Sequence, residues 1–214
     1  MATLLIARHG ETQFNVDGRF QGRLDVPLSD NGRRQAQMLA DYLAGDSGPV
    51  GPAGFSRIIS SPQARAMDTA RALADACGME IHTDDRLMEI DVGRLAGLSG
   101  REARAREPKF FADWARDCAS ARYPDGESVE DVSIRAVSFF DDISSRLDDA
   151  DTVLVVAHAV VLKCMLVVLL GSHVRNYTRI ALANASLSRI RIAEGGPCVD
   201  LINDTHYLEP SRPA

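Results

Sequence analysis

The chain lacks a surplus of positive charge. Its 214 residues contain 24 Lys and Arg against 30 Asp and Glu, which gives a net charge of −6 at pH 7. A surface with this excess of negative charge argues against binding to nucleic acid and against binding to an anionic membrane. Any anionic ligand must therefore be attracted by a local basic pocket and not by the overall field.

Paired cysteines are also missing. The four cysteines are widely spaced, with no Cys-x-x-Cys pair and no histidine at the spacing of a zinc site. We therefore predict no metal site and no cofactor, and a reduced protein. No basic segment followed by an apolar stretch opens the chain, so the sequence predicts a cytoplasmic location without a secretory signal.

An uninterrupted membrane-spanning run is absent as well. Residues 153–170 are nearly all apolar, but His158 and Lys163 interrupt them, and charge at the centre of a membrane span is costly. The better interpretation is a buried strand over 152–157 followed by a core helix. Lys163 is interpreted as a lysine of the helix surface.

Strand and helix patterns alternate along the chain. This alternation predicts an α/β fold with a mostly parallel central sheet flanked by helices. Helix starts are predicted at Ser29, at Ser61 with Pro62 in the first helical position, and at Ser128 with Asp131 three residues later. A surface loop is predicted over 45–54. The predicted strands cover residues 3–7, 55–60, 80–83, 152–157, 187–192 and 199–202.

An arginine and a histidine, Arg8 and His9, follow the first strand directly, and Gly10 comes next. In open α/β sheets, ligands bind at the carboxyl ends of the strands. Arginine offers a planar fork to phosphate oxygens, and neutral histidine is a nitrogen nucleophile near pH 7. Gly10 is expected to let a bulky anion approach the backbone. The motif predicts phosphoryl transfer through a phosphohistidine.

Two further strands end in matching side chains. Arg65 follows the second strand within the first turn of the next helix, and His158 follows the strand over 152–157. A helix N-terminus attracts anions through its unpaired N–H groups. If these strands are parallel neighbours, the groups meet in one crevice.

These residues resemble the histidine phosphatase superfamily, which is also called phosphoglycerate mutase-like. The resemblance covers essentially the whole chain and implies one domain, 1–214, with the three-layer α/β sandwich of that family and a helical, lid-like insertion at about 94–124. The matching segments are Arg8-His9-Gly10-Glu11-Thr12, Asn15, Gln21 to Ser29, Ser60 to Ala66, Leu87 to Gly93, Asp125-Gly126-Glu127-Ser128, Val155 to His158, Asn184-Ala185-Ser186 and Asn203 to His206.

The resemblance implies a role for each site residue. His9 would accept the phosphoryl group, and Glu89 would protonate the leaving oxygen and then deprotonate the attacking water. From the residues alone, Glu89 is equally well a surface carboxylate beside Asp91. The groups expected to bind phosphate or substrate are Arg8, Asn15, Gln21, Gly22, Arg65, His158 and Ala159.

One position departs from the family pattern. His158 is usually followed by glycine in this family, whereas here it is followed by Ala159. If the backbone needs a positive φ there, alanine costs about 1 kcal/mol. The expected consequence is a change in phosphate geometry and not in mechanism.

The residues after Glu89 bear on the reaction. Glu89 is followed by Ile90-Asp91-Val92-Gly93, whereas the resemblance implies Arg-His-Tyr-Gly in mutases. We therefore expect a phosphatase acting on a small phosphorylated metabolite. The alternatives are a phosphoglycerate mutase-type transferase and a non-catalytic protein that binds phosphorylated ligands. A homodimer is compatible with the sequence, and specificity is expected to depend on residues 94–122.

Overall fold

The central element of the fold is a mixed sheet of six strands. The computed structural model describes residues 1–45, 50 and 54–208. The strands lie in the order β3-β2-β4-β1-β5-β6. Their bounds are β1 Ala2–Arg8, β2 Arg57–Ser60, β3 Ile81–Thr83, β4 Thr152–Ala157, β5 Leu187–Ala193 and β6 Gly196–Asp204.

Strands β1 to β4 are parallel, and the pair β5 and β6 adds an antiparallel edge beside β1. The prediction of a mostly parallel sheet in an α/β fold is confirmed. Five of the predicted strand positions differ from the observed bounds only at their ends, and the strand over 152–157 matches at both ends.

Helices cover both faces of the sheet. They are α1 Gln13–Val16, α2 Asp30–Ala44, α3 Ala64–Cys77, α4 Gly100–Arg106, α5 Pro108–Arg116, α6 Val129–Ser144 and α7 Ala159–Leu169. Alternation along β1 sends Leu5 and Ala7 into a core with α2 and α3, and Leu4 and Ile6 into a core with α6 and α7. The result is three layers, helices, sheet and helices, as expected.

Two of the predicted helix starts are present in the structure, since Ser29 caps α2 by accepting a hydrogen bond from the Gly32 N–H and Ser128 caps α6. The Ser128 side chain accepts a hydrogen bond from the Asp131 N–H, and the Asp131 carboxylate accepts the Ser128 N–H in return, which completes the capping box of α6. Gly78 ends α3 with φ of 64°, a left-handed conformation that glycine adopts without strain.

The prediction that Ser61 caps α3 with Pro62 in its first turn is wrong. The helix begins at Ala64, and its N-cap residue is Gln63. The Ser61 N–H instead bonds the carbonyl of Val156 at 2.9 Å, and its hydroxyl lies 2.8 Å from His158 Nε2. Ser61 therefore continues the hydrogen bonding to β4 and contacts a site residue, and its hydroxyl accepts the Gln63 N–H at 3.4 Å, one turn before the helix begins.

The segment over 94–124 forms two short helices, α4 and α5, with Pro108 as the first residue of α5. Its side chains Phe110, Ala121 and Tyr123 are buried in the core shared with α6 and α7. Its role as a lid stays a prediction.

Two further expectations concern loops and membranes. The loop predicted over 45–54 lies mostly outside the described residues. Among the helices that the structure describes, none combines the length and the apolar character that crossing a bilayer requires.

Candidate active site

The site lies where β1, β2 and β4 end side by side. The His9 N–H donates to the carbonyl of Ala157 at 3.0 Å, and the Ser61 N–H donates to that of Val156 at 2.9 Å. Main-chain bonds between neighbouring strand ends thus fix the position at which His9, Arg65 and His158 meet. Parallel pairing explains the convergence that the sequence predicted.

His9 is held as a neutral imidazole. It is 2 % exposed, its Nδ1 lies 2.7 Å from the carbonyl of Gly10, and Arg65 Nε donates to its Nε2 at 3.3 Å. These partners assign the proton to Nδ1 and the lone pair to Nε2. Burial, followed by the charges of Arg65 and Arg8, holds the pKa of His9 well below its ordinary value.

Arg65 is completely buried, and backbone carbonyls fix its guanidinium. Its Nη1 donates to Leu24 and its Nη2 to Gly22, both at 2.8 Å. Burial lowers its pKa to about 10, so the group is charged at neutral pH. Gly22 has φ of +51°, and a Cβ there would meet Val92 Cγ2 at 2.6 Å. Gly22 therefore contributes a carbonyl and a close packing contact.

Arg8 and His158 each keep a buried nitrogen without a hydrogen-bond partner within the described part of the chain. Arg8 Nη1 donates to the carbonyl of Leu182 at 2.7 Å, while Arg8 Nε and His158 Nδ1 are unpaired. Burial lowers the pKa of Arg8, and the Glu89 carboxylate opposes this effect. Burial and then Arg65 lower the pKa of His158. The rings of His158 and His9 are 5.1 Å apart between centroids.

Glu89 is partly buried, and backbone N–H groups orient it. Its Oε1 accepts from the Ile90 N–H at 2.9 Å, and its Oε2 accepts from the Val160 N–H in the first turn of α7 at 3.3 Å. Its own N–H donates to Gln63 Oε1 at 2.7 Å. The charge of Glu89 acts on both Arg8 and Arg65, so the carboxylate belongs to the same site.

Asn15 and Gln21 contact the site through intermediates. Asn15 Oδ1 accepts from the Thr12 N–H at 3.0 Å and from Asn184 Nδ2 at 3.1 Å, and Asn184 Nδ2 lies 3.2 Å from the His9 carbonyl. Gln21 Oε1 accepts from the Thr12 hydroxyl at 3.0 Å. Both predicted residues therefore lie in a polar network beside His9.

Ala159 is the first residue of α7. Among the described residues, the non-glycine positions with a positive φ are Asp125, Ala185 and Asn203. Ala159 is not one of them, so the cost considered for alanine does not arise.

Gly10 is required by packing. Its N–H donates to Thr69 Oγ1 at 3.0 Å, and a Cβ at this position would lie 2.5 Å from the carbonyl oxygen of Gly32 in α2. Glycine is needed here because a helix packs against the backbone, and the approach of an anion to Gly10 stays a prediction.

Sequence reasoning gave no role to two residues that support the site. The Gln63 side chain joins the Glu89 N–H to the Gly22 carbonyl, which it reaches through Nε2 at 3.0 Å. Asn184 contacts the carbonyls of His9 and Gly10. Both lie in segments that carried the family resemblance, and their position there was the only signal available.

All four cysteines are free. In the part of the chain that the structure describes, no group of three His, Cys, Asp or Glu side chains is arranged to hold a metal ion.

The arrangement suits a phosphoryl group. A neutral imidazole presents Nε2 beside two buried guanidinium groups, which can neutralise phosphoryl oxygens, and a carboxylate lies on the same site. Fixed donors in a water-poor pocket stabilise a transferring phosphoryl group more strongly than the same donors in water.

Comparisons with known proteins agree with this chemistry. The chain is 33% identical over 208 residues to phosphoserine phosphatase 1 of Hydrogenobacter thermophilus, covering 97% of this chain and 95% of that one. It is 32% identical over 214 residues to a probable phosphoglycerate mutase of an Enterobacter species, with coverage of 98% and 96%. A mycobacterial glucosyl-3-phosphoglycerate phosphatase solved with VO3 superposes with a TM-score of 0.81 at 29% identity, covering 95% and 99% of the two chains.

The model of the histidine phosphatase superfamily, branch 1, matches residues 4–205. Together with the site geometry, this match shows that the chain belongs to the histidine phosphatase superfamily.

Proposed function

We propose that this protein hydrolyses small phosphate monoesters through a phosphohistidine on His9. The observation that carries the proposal is the hydrogen bond from Arg65 Nε to His9 Nε2 at 3.3 Å. It places an unprotonated nitrogen and a fixed positive charge at the same point. A nucleophile and a charge-stabilising group are the two requirements for accepting a phosphoryl group.

The reaction has two steps. As the substrate binds, Arg65 Nε transfers its hydrogen bond from His9 Nε2 to a phosphoryl oxygen, and Glu89 holds a proton. His9 Nε2 then attacks phosphorus, the bond to the ester oxygen breaks, that oxygen leaves with the Glu89 proton, and a phosphohistidine remains. Water then gives a proton to Glu89 and attacks phosphorus, which releases inorganic phosphate and restores His9. Arg8, Arg65 and His158 hold the phosphoryl oxygens throughout.

Phosphoenzyme trapping tests the proposal. Brief mixing with a labelled ester should give an acid-labile, base-stable label on the wild type, and His9→Ala should lose it together with about 10³-fold or more of the turnover. His82, an exposed residue of β3, provides the control, because His82→Ala should label and turn over normally. Label on a serine or an aspartate would refute the proposal, and binding of the ester with neither label nor turnover of 4-nitrophenyl phosphate would indicate a non-catalytic binding protein.

A phosphoglycerate mutase-type transferase is the second candidate, because one relative is a probable phosphoglycerate mutase. The burial of two residues that follow Glu89 favours hydrolysis over transfer to a second substrate. Ile90 and Val92 are each 3 % exposed. Where the resemblance implies Arg-His-Tyr-Gly in mutases, these two positions offer a substrate no polar group. The names of the relatives suggest phosphoserine and 3-phosphoglycerate as the first esters to assay.

A further inference from the structure

We infer that Arg135 and Glu127 are positioning residues that hold Glu89 in place for proton transfer. Neither residue contributes to the site described above. The inference rests on the proposed role of Glu89 as the proton donor, and it adds a specific support for that role.

Arg135 holds the main chain before Glu89. It lies on α6 with a side chain only 15% exposed. Its Nη1 donates to the carbonyl of Met88 at 2.5 Å and to that of Arg86 at 2.7 Å. The residue immediately preceding Glu89 is therefore held by a partly buried guanidinium on α6.

Glu127 holds the main chain after Glu89. Its two carboxylate oxygens accept from Nε and Nη2 of Arg135, both at 3.1 Å, and its Oε2 also accepts from the Asp91 N–H at 2.8 Å. The side chain is 17% exposed. The bidentate ion pair between Arg135 and Glu127 thus binds the main chain at Met88 and at Asp91, on the two sides of Glu89.

The segment that carries Glu89 needs such support. It lies between the short 3-10 turns Asp85–Leu87 and Gly93–Leu95 and belongs to no strand or α-helix. A chain without its own ladder of hydrogen bonds depends on side chains to fix it. A displacement of about 1 Å at a group that transfers a proton can cost about 10²-fold in rate.

The same ion pair extends toward the phosphate side. Arg23 Nη2 lies 3.4 Å from Glu127 Oε1, and the neighbouring Gly22 carbonyl accepts from Arg65 Nη2. The proton donor and the phosphate-binding arginine thus share one supporting network. Replacing Arg135 should displace Glu89 more than Arg65, because Arg135 donates its hydrogen bonds to the main chain just before Glu89.

The test compares leaving groups. Assistance by an acid matters most when the departing oxygen is a poor leaving group, so Glu89→Gln should slow phosphorylation by an alkyl phosphate far more than by 4-nitrophenyl phosphate. Arg135→Lys and Glu127→Gln should reproduce this selectivity in rapid-quench measurements. We expect about 10- to 100-fold loss with the alkyl ester and less than about 3-fold with the aryl ester, with KM nearly unchanged.

A matched ion pair serves as the control. Arg189 on β5 binds Asp200 on β6 in the same bidentate manner, at 2.9 and 3.1 Å, outside the candidate site. Arg189→Lys and Asp200→Asn should leave both rates and their ratio unchanged. Either variant alone, Arg135→Lys or Glu127→Gln, is sufficient for the leaving-group test. Its unfolding transition must show that the protein is folded at the assay temperature.

Three outcomes separate the possible failures. Equal slowing of both esters in folded Arg135→Lys and Glu127→Gln would overturn the inference, because a general structural defect has no preference for a leaving group. A full additional loss when either change is added to Glu89→Gln would also overturn it. If Glu89→Gln itself lacks the preference, the proposed role of Glu89 is wrong, and the inference fails with it.

Discussion

At the scale of single residues, two buried neutral histidines are the main chemical feature. His9 and His158 are 2 % and 0 % exposed, and the pKa of each is held well below 6.5, first by burial and then by Arg65. Both rings therefore stay unprotonated in the folded protein well into mild acid, whereas in the unfolded chain they gain protons near 6.5.

We predict that mild acid destabilises the protein through these two residues. Below pH 6.5 the unfolded chain binds more protons than the folded one, so the free energy of unfolding falls as the pH falls. Each histidine should contribute a loss of about 2 kcal/mol between pH 7 and pH 5. Urea unfolding at several pH values measures the slope.

Replacement of the histidines supplies the control for this pH dependence. His158→Gln and His9→Gln should each make the slope shallower by about one proton, whatever they do to the stability at pH 7. Exposed His82, replaced in the same way, should leave the slope unchanged. An unchanged slope in both buried variants would show that other groups cause the acid sensitivity.

The site residues that lie in the motifs could be predicted from the sequence, but the residues that hold them in place could not. Arg8, His9, Arg65 and His158 each follow a recognisable strand, so their convergence follows from parallel pairing. Arg135 lies on α6, 46 positions after Glu89, and a helix pattern does not show which arginine turns inward. The contact between Gly10 and Gly32 could not be predicted either, because tertiary packing brings the two residues together.

At the scale of elements, the start of α2 packs tightly against the turn that follows His9. A Cβ on Gly32 would lie 1.9 Å from the carbonyl oxygen of Glu11, while the Ser29 hydroxyl caps the same turn of the helix through the Gly32 N–H. Helix and turn therefore fit together only with glycine at this position.

Gly32→Ala should destabilise the fold by about 3 kcal/mol, because backbone and not a flexible side chain must move to accommodate the methyl group. Turnover should fall as well, since Glu11 is two residues from His9. Gly100, the first residue of α4, has no atom near its own Cβ position, so Gly100→Ala should be neutral or stabilise by up to about 1 kcal/mol. Equal effects of the two changes in urea unfolding would contradict this account.

Element types were predictable, whereas the start of α3 was not. Ser61 and Pro62 have the composition of a helix start, but α3 begins at Ala64. The hydroxyl of Ser61 contacts His158, which follows β4 and precedes α7. Local sequence encodes the capping preference, and only the assembled sheet shows the competing partner.

At the scale of the whole molecule, hydrolysis and phosphoryl transfer between substrates need the same fold and the same phosphohistidine. They differ in whether water or a second hydroxyl attacks that intermediate. We predict that with 3-phosphoglycerate the protein releases inorganic phosphate or does not react, even when 2,3-bisphosphoglycerate is present. Coupled assays of both products from one reaction measure the ratio, and isomerisation much faster than phosphate release would assign the protein to the mutases.

The position of β1 in the sheet has a consequence for biosynthesis. The strand that precedes His9 is made before both of its hydrogen-bonding partners, β4 and β5, residues 152–157 and 187–193. During translation, one edge of this apolar strand therefore stays unpaired until residue 157 has been made, and the other edge until residue 193 has been made. Such an exposed strand can pair with other nascent chains, and contacts so distant in sequence form slowly. The crevice that holds His9 and His158 therefore cannot form before β4 has been made, and until then β1 is the apolar strand most exposed to wrong pairing.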